Sequence, residues 1–285
     1  MNIHTLSNDP KSNPIINIYQ PANQFENTNN SSNNPNNCRL INPSLYKLKS
    51  FCSIILIINV LMYIIELLYF YSGKNSWFCT LYYLGAKETY AIIKDNQVFR
   101  LLTSTILHAS IYHLIMNSLS IFLLGYYVEE RIGLKKIIIL YICSGILSSI
   151  FSAAFNINSL GVGASGSIMS FSGLLIIDYI LNYHFLDYFQ KQNFLFFGIL
   201  TLMNLFGNNY SKDGNKVDNF AHLSGFLTGV CLSLFSFEEN VHYQNNNTIL
   251  MKRLKIIFGS FLGISHFACL IYLYFFAKII LLRIC

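Results

Sequence analysis

The chain has 285 residues, 53% hydrophobic and only 11% charged, with a mean hydropathy of +0.44. Soluble domains carry about a quarter charged residues, so the composition excludes an ordinary soluble protein and marks a membrane protein. A formal charge of +6 comes without any basic run, which speaks against a nucleic-acid partner; Lys and Arg sit singly or in small groups beside apolar stretches, as anchors at a lipid surface do.

Residues 1–45 are a different material. Asn and Ser dominate Asn27–Asn37, and the stretch has too few large apolar side chains to fold alone. It has neither the charged start and apolar core of a secretory signal nor the arginines of a mitochondrial transit peptide. It reads as a disordered cytosolic tail.

Seven apolar segments follow: Phe51–Tyr71, Leu107–Val128, Ile137–Phe155, Ser165–Leu181, Phe194–Phe206, Phe220–Phe237 and Ile256–Leu282. A helix needs about 20 apolar residues to cross a bilayer core. The fifth segment is short, but it lies between two convincing neighbours and is read as a span. Only helices or closed barrels satisfy their backbone in lipid, so the expected fold is an all-α polytopic bundle. With the N-terminus in the cytosol, the tight clusters Arg131–Lys136 and Lys252–Lys255 fall on the cytosolic side, where basic residues near helix ends collect. The seven cysteines are odd in number and form no CxxC pair, so neither a disulfide framework nor a zinc site is implied. A bridge between Cys79 and Cys285 carries little weight.

Counting crossings gives the functional reading. The second, fourth and sixth spans all begin on the face opposite the N-terminus, whichever way the protein is inserted. His113 and Asn117 lie in the first turns of the second span, Ser165 starts the fourth, and His222 comes a few residues into the sixth. All four should therefore share one depth, roughly 5–10 Å below the surface at about 1.5 Å per residue. His113 and Asn117 are i,i+4 and project from one helix face. Ala221, Gly225 and Gly229 form a small-xxx-small ladder that lets another helix approach, and Gly166, Ser170 and Gly173 offer the facing surface.

Those residue types suit acyl transfer. A serine is a weak nucleophile that needs a base within reach, here Ser165 and His222. The oxyanion needs preorganised donors: the Ser165 backbone N–H at the helix start, with the side chains of His113 and Asn117 beside it. Gly163 and Gly166 permit a tight turn and close backbone approach. Taken alone, Ser165 reads first as a helix N-cap, and an intramembrane histidine can be merely packed; it is their convergence that favours a site. Asp218, four residues before His222, reads as the cap of the sixth span, with orientation of His222 as the alternative. Glu66 and Asp178 lie near span ends, snorkelling or hydrogen-bonded, and His108 is expected to meet water at the mouth of the site.

At these residues the chain resembles a rhomboid intramembrane serine protease, over about residues 46–282. The resemblance rests on Gly163-Ala164-Ser165-Gly166, on His113 through Asn117, on Ala221-His222 with Gly225 and Gly229, on Phe99-Arg100, and on Gly125 through Glu129. It implies Ser165 as nucleophile, His222 as general base, and His113 and Asn117 as the oxyanion hole, with Gly163, Gly166, Gly225, Gly229, Arg100 and Met169 in support. Phe99 stands where the family usually has tryptophan. Met169 stands where it usually has an aromatic against the histidine, which implies reduced activity.

The fold implied is a six-helix bundle at 46–238, then a cytosolic loop and one additional C-terminal helix at 239–285, the 6+1 arrangement of secretory-pathway members. The implied activity is serine endopeptidase cleavage of single-pass transmembrane substrates near their luminal or extracellular boundary, with membrane lipid as the medium and no metal or cofactor. Residues 1–45 and the overall composition resemble apicomplexan members, whose relatives cleave surface adhesins. A catalytically silent relative that binds membrane clients is the alternative.

Overall fold

The computed structural model describes residues 50–73, 76–183, 217–236 and 248–275, with isolated positions between 188 and 201. Among these residues the regular structure is helical, apart from one isolated antiparallel bridge between Lys87 and Gly161. The expected tail at 1–45 and the fifth expected span, Phe194–Phe206, lie outside the described residues, so the count of spans rests on the other helices.

The first span, α1, runs Phe51–Ser72. Ser50 starts it by accepting the Ser53 N–H at 3.1 Å. The buried carboxylate of Glu129 takes the N–H groups of Phe51 at 2.9 Å and Cys52 at 3.1 Å. A helix start leaves its first N–H groups without intrahelical partners; here a side chain from the far end of the second span satisfies two of them. Short helices α2 (Trp77–Tyr83) and α3 (Thr89–Ile93) shape the loop that follows. Cys79 in α2 is disulfide-bonded, where the sequence implied no disulfide framework and a bridge at this cysteine carried little weight.

The second span, α4, occupies Ile111–Ile132. It begins later than the apolar run because Ser110 caps it, its hydroxyl accepting the His113 N–H at 3.2 Å. Leu107 is instead buried in a loop core with Leu81 and Ala86. Ile121–Gly125 form a π-helical turn within the span, and Gly133 (φ 80°) ends it. The third span, α5, is Leu134–Phe155; the fourth, α6, is Ser165–Asn182; the sixth, α7, is Asn219–Ser236.

The last helix, α8, spans Thr248–Phe275 and starts well before its apolar run. Lys252, Arg253 and Lys255 therefore sit on its first turns rather than in a loop, and the Lys255 ammonium lies 5.6 Å from the Phe235 ring centre. Among the described residues, four helices are long and apolar enough to cross a membrane: α1, α4, α5 and Lys252–Phe275 of α8. The apolar stretches of α6 and α7, Ser165–Leu181 and Asn219–Phe235, are shorter. The molecule is a helical, multi-pass membrane protein.

The main hydrophobic cluster joins α1, α4, α5 and α6 through Phe51, Ile121, Tyr141 and Phe171. At the end of α6 away from Ser165, α4 and α6 are tied by a half-buried ion pair: Arg131 grips Asp178 at 2.7 Å, and two of its nitrogens donate to the carboxylate. Asp178 is fully buried and hydrogen-bonded rather than snorkelling.

Candidate active site

The start of α6 is built by a glycine that no other residue replaces easily. Gly163 has φ +119°, in the region L side chains avoid, and its N–H donates to the Ser104 carbonyl at 2.8 Å. Ala164 is the N-cap and Ser165 the first helical residue, so the hydroxyl of Ser165 does not cap the helix. A Cβ placed on Gly163 would lie 2.5 Å from His113 Cε1, 2.7 Å from its Nε2 and 3.3 Å from Asn117 Nδ2. The imidazole and the amide of α4 therefore press against the backbone that delivers Ser165. Asn117 is buried, and its Nδ2 has no hydrogen-bond acceptor. A buried donor left unpaired is uncommon, and this one faces the turn before the serine.

The start of α7 is held by Asp218. Its Oδ1 accepts the Ala221 N–H at 3.1 Å and its carbonyl accepts the His222 N–H at 3.1 Å. Asn156 Nδ2 donates to Oδ1 at 2.7 Å, and the Ser152 hydroxyl donates to Oδ2. Asp218 is thus a helix cap whose remaining capacity is taken by the end of α5. A carboxylate at a helix N-terminus also favours the dipole.

α6 and α7 touch through backbone. A Cβ on Gly225 would be driven into the Gly166 carbonyl oxygen, one on Gly229 into that of Ser170, and one on Gly173 into that of Phe226. A Cβ on Gly166 would strike Ser148 and sit 3.7 Å from the Ala221 carbonyl. The ladder of small residues works as its spacing suggests. Ser165 immediately precedes the first of these contacts and the buried His222 lies one turn before Gly225, so both flank the tightest approach of the two helices.

Two sequence candidates remain, Met169 and Arg100. Met169 is buried in α6 one turn beyond Ser165. Arg100 organises the loop instead: its Nη1 donates to the carbonyls of Tyr82 at 2.7 Å and Ala86 at 2.9 Å, and its guanidinium stacks on the Tyr82 ring at 4.4 Å.

His108 corrects an expectation. It is fully buried rather than wet: its backbone N–H donates to Glu66 Oε1 at 3.0 Å and its ring packs edge-on to His113 with 5.4 Å between centres. Burial, and secondarily the neighbouring His113, push its imidazole down to about 3, so it is neutral at ordinary pH. Glu66 is correspondingly buried and hydrogen-bonded.

Behind Ser165 lies a polar cleft with about 40 Å³ of room for water, lined by Ser104, Ser148, Ser149, Ser152 and Asp218. That is space for a few waters among hydroxyl partners. Sequence reading missed these serines, although the i,i+4 spacing of Ser148 and Ser152 along α5 was available as a signal. It also missed Lys87, which lines the same cleft.

A family model described as the Rhomboid domain matches residues 95–239, just over half of the chain. The chain belongs to the rhomboid family. Among curated relatives, RHOMBOID-like protein 6, mitochondrial, of Arabidopsis thaliana is 36% identical over 154 residues, covering 54% of this chain and 48% of the relative. Rhomboid-like protease 1 of Toxoplasma gondii is 32% identical over 151 residues, 52% of this chain and 50% of that protein. Inactive RHOMBOID-like protein 8 of Arabidopsis thaliana is 28% identical over 149 residues, 52% of this chain and 41% of the relative. The chain spans about half the length of these curated relatives. Rhomboid membership accounts for the helical membrane bundle, and the family includes both named proteases and a member named inactive.

Proposed function

We propose that this rhomboid is an intramembrane serine endopeptidase that uses Ser165 and His222 as a dyad. The observation that carries the reading is the convergence at one end of the bundle. The start of α6 with Ser165, the His113 and Asn117 side chains against Gly163, and the backbone contact beside His222 all meet there. The Ser165 oxygen attacks a substrate peptide carbonyl and passes its proton to His222. The oxyanion takes hydrogen bonds from the Ser165 N–H, Asn117 Nδ2 and the His113 ring. His222 returns the proton to the leaving amine, and a water from the serine-lined cleft, activated by the same histidine, releases the acyl product.

The substrate class is single-span membrane proteins, cut near their luminal or extracellular boundary, where a site at the entry ends of α4, α6 and α7 would meet them. Local unwinding exposes the carbonyl, which favours small or helix-breaking residues at the cut. The N-terminus faces the cytosol in this reading, with a secretory or plasma-membrane location, and residues 46–238 form the catalytic core. Surface adhesins belong in the first substrate panel, on the resemblance to apicomplexan members.

Co-expression of wild type and Ser165→Ala with a panel of tagged single-span proteins tests the reading. A fragment made by wild type and lost in Ser165→Ala supports it, whereas fragments that persist in the variant contradict it. The silent-relative reading draws on the relative named inactive. It predicts client binding without cleavage by either protein, and is disfavoured by the retention of both Ser165 and His222.

A further inference from the structure

Lys87 heads the large side chains that are fully buried, with 1% of its surface exposed. A buried ammonium is costly unless its hydrogen bonds are met, and here they are. Nζ donates to the Asn156 carbonyl at 3.1 Å, the Ser159 carbonyl at 3.2 Å and Ser159 Oγ at 3.3 Å. The Lys87 backbone pairs with Gly161 through two 2.9 Å hydrogen bonds, one in each direction. The stem leaves no room for a side chain at position 161, where a Cβ would lie 2.7 Å from Lys87 Cε.

These contacts lead to both halves of the site. Gly161 is two residues from Gly163, so the backbone pairing fixes the segment that delivers Ser165. Asn156 accepts from Lys87 with its carbonyl and donates to Asp218 with its side chain at 2.7 Å, and Asp218 caps α7, which carries His222. We propose that Lys87 is a positioning residue that locks the Ser165 segment and the His222 helix into one register through its ammonium. This rests on the protease reading above and goes beyond it, because Lys87 touches neither reacting group.

The charge is part of the device. Burial pushes the Lys87 amine down to about 8, opposed by the carboxylates of Asp218, which caps α7, and Glu88 beside it in the chain. The positioning effect should therefore fade above about pH 8. Stability should respond in the opposite direction. Between about 8 and the ordinary lysine value of 10.5 the unfolded chain holds the proton and the folded one has lost it, so this group's contribution to folding rises with pH. A lysine that only supports the fold would not make activity fall where its own contribution to stability climbs.

The test uses the full-length protein in detergent micelles, the rate of Ser165 labelling by a fluorophosphonate probe, and thermal unfolding, each across pH. Wild-type labelling should fall above about pH 8 with no parallel loss of thermal stability. Asp218→Asn keeps an oxygen to cap α7 but removes a charge that raises the amine, so the alkaline fall should move to lower pH. Lys87→Met should slow labelling by about tenfold or more and abolish the fall. Adding Asp218→Asn to Lys87→Met should recover part of the rate, since it removes a carboxylate left without its cation.

An alkaline fall that stays in place in Asp218→Asn, or survives in Lys87→Met, overturns the proposal while leaving the protease reading intact. The wild-type and Asp218→Asn comparison decides it alone if Lys87→Met does not fold. Absence of labelling at Ser165 in wild type at every pH removes the protease reading and the proposal with it.

Discussion

Replacing Gly225 with alanine perturbs the site without touching a reacting group. The added methyl meets the Gly166 carbonyl oxygen, a backbone atom with no rotamer to yield. α6 and α7 must part by on the order of 1 Å, and a misplacement of about that size costs about 10²-fold in rate. Overpacking of this kind also costs about 1–3 kcal/mol of stability. The control lies in α8, where a Cβ on Gly263 would have nothing within 4 Å; Gly263→Ala gains about 1 kcal/mol from helix propensity. The assay is fluorophosphonate labelling of Ser165 alongside thermal unfolding in detergent, for both variants. Gly225→Ala should label about 10²-fold more slowly and unfold at lower temperature, while Gly263→Ala should match wild type or exceed its stability. Equal labelling of the two variants would show that the α6–α7 contact does not set the geometry of the site.

Further outcomes follow from single contacts. Asn117→Ala removes a buried, unpaired donor, so cleavage of a single-span substrate should slow by about 10²-fold with no loss of thermal stability; a variant that cleaves normally excludes Asn117 from the oxyanion site. His108 is held neutral by burial down to about 3, whereas its ordinary value is 6.5. The unfolded chain therefore binds a proton that the folded one refuses, and stability should fall as pH drops from 6.5 toward about 3. His108→Phe should flatten that acid limb in thermal unfolding scans, and an unchanged limb would assign it to other groups. Met169→Tyr should raise cleavage, since an aromatic one turn beyond Ser165 would hold His222 more firmly; a cleavage assay in which the variant gains nothing counts against that role.

Much of the bundle was legible because lipid allows few solutions. Apolar run length found α1, α6 and α7 to within a residue and α5 to within three, and the Ala221, Gly225 and Gly229 spacing named the face on which α7 meets α6. The cap at Asp218 was legible too, since its place four residues before His222 is a local signal. Boundaries set by side-chain caps were harder. Leu107 extends the apolar run into α4, but Ser110 decides where the helix begins. α8 starts among charged residues because helical structure does not stop where hydropathy does.

The misreadings share a cause. Lys87 and His108 are polar residues in a loop, where sequence reasoning expects water. Their burial depends on partners far along the chain, Gly161 and Asn156 for one and Glu66 for the other. Glu129 near the end of α4 is likewise a buried charge satisfied far along the chain, by the N–H groups of Phe51 and Cys52. Long-range satisfaction of a buried polar group leaves no local periodicity to read.

Mass-spectrometric mapping of a fluorophosphonate adduct on purified protein, for wild type and His222→Ala, addresses the dyad most directly. A single adduct on Ser165 in wild type, formed far more slowly in His222→Ala, is the predicted result. An unmodified Ser165, or an adduct that forms equally fast without the imidazole, would contradict the account.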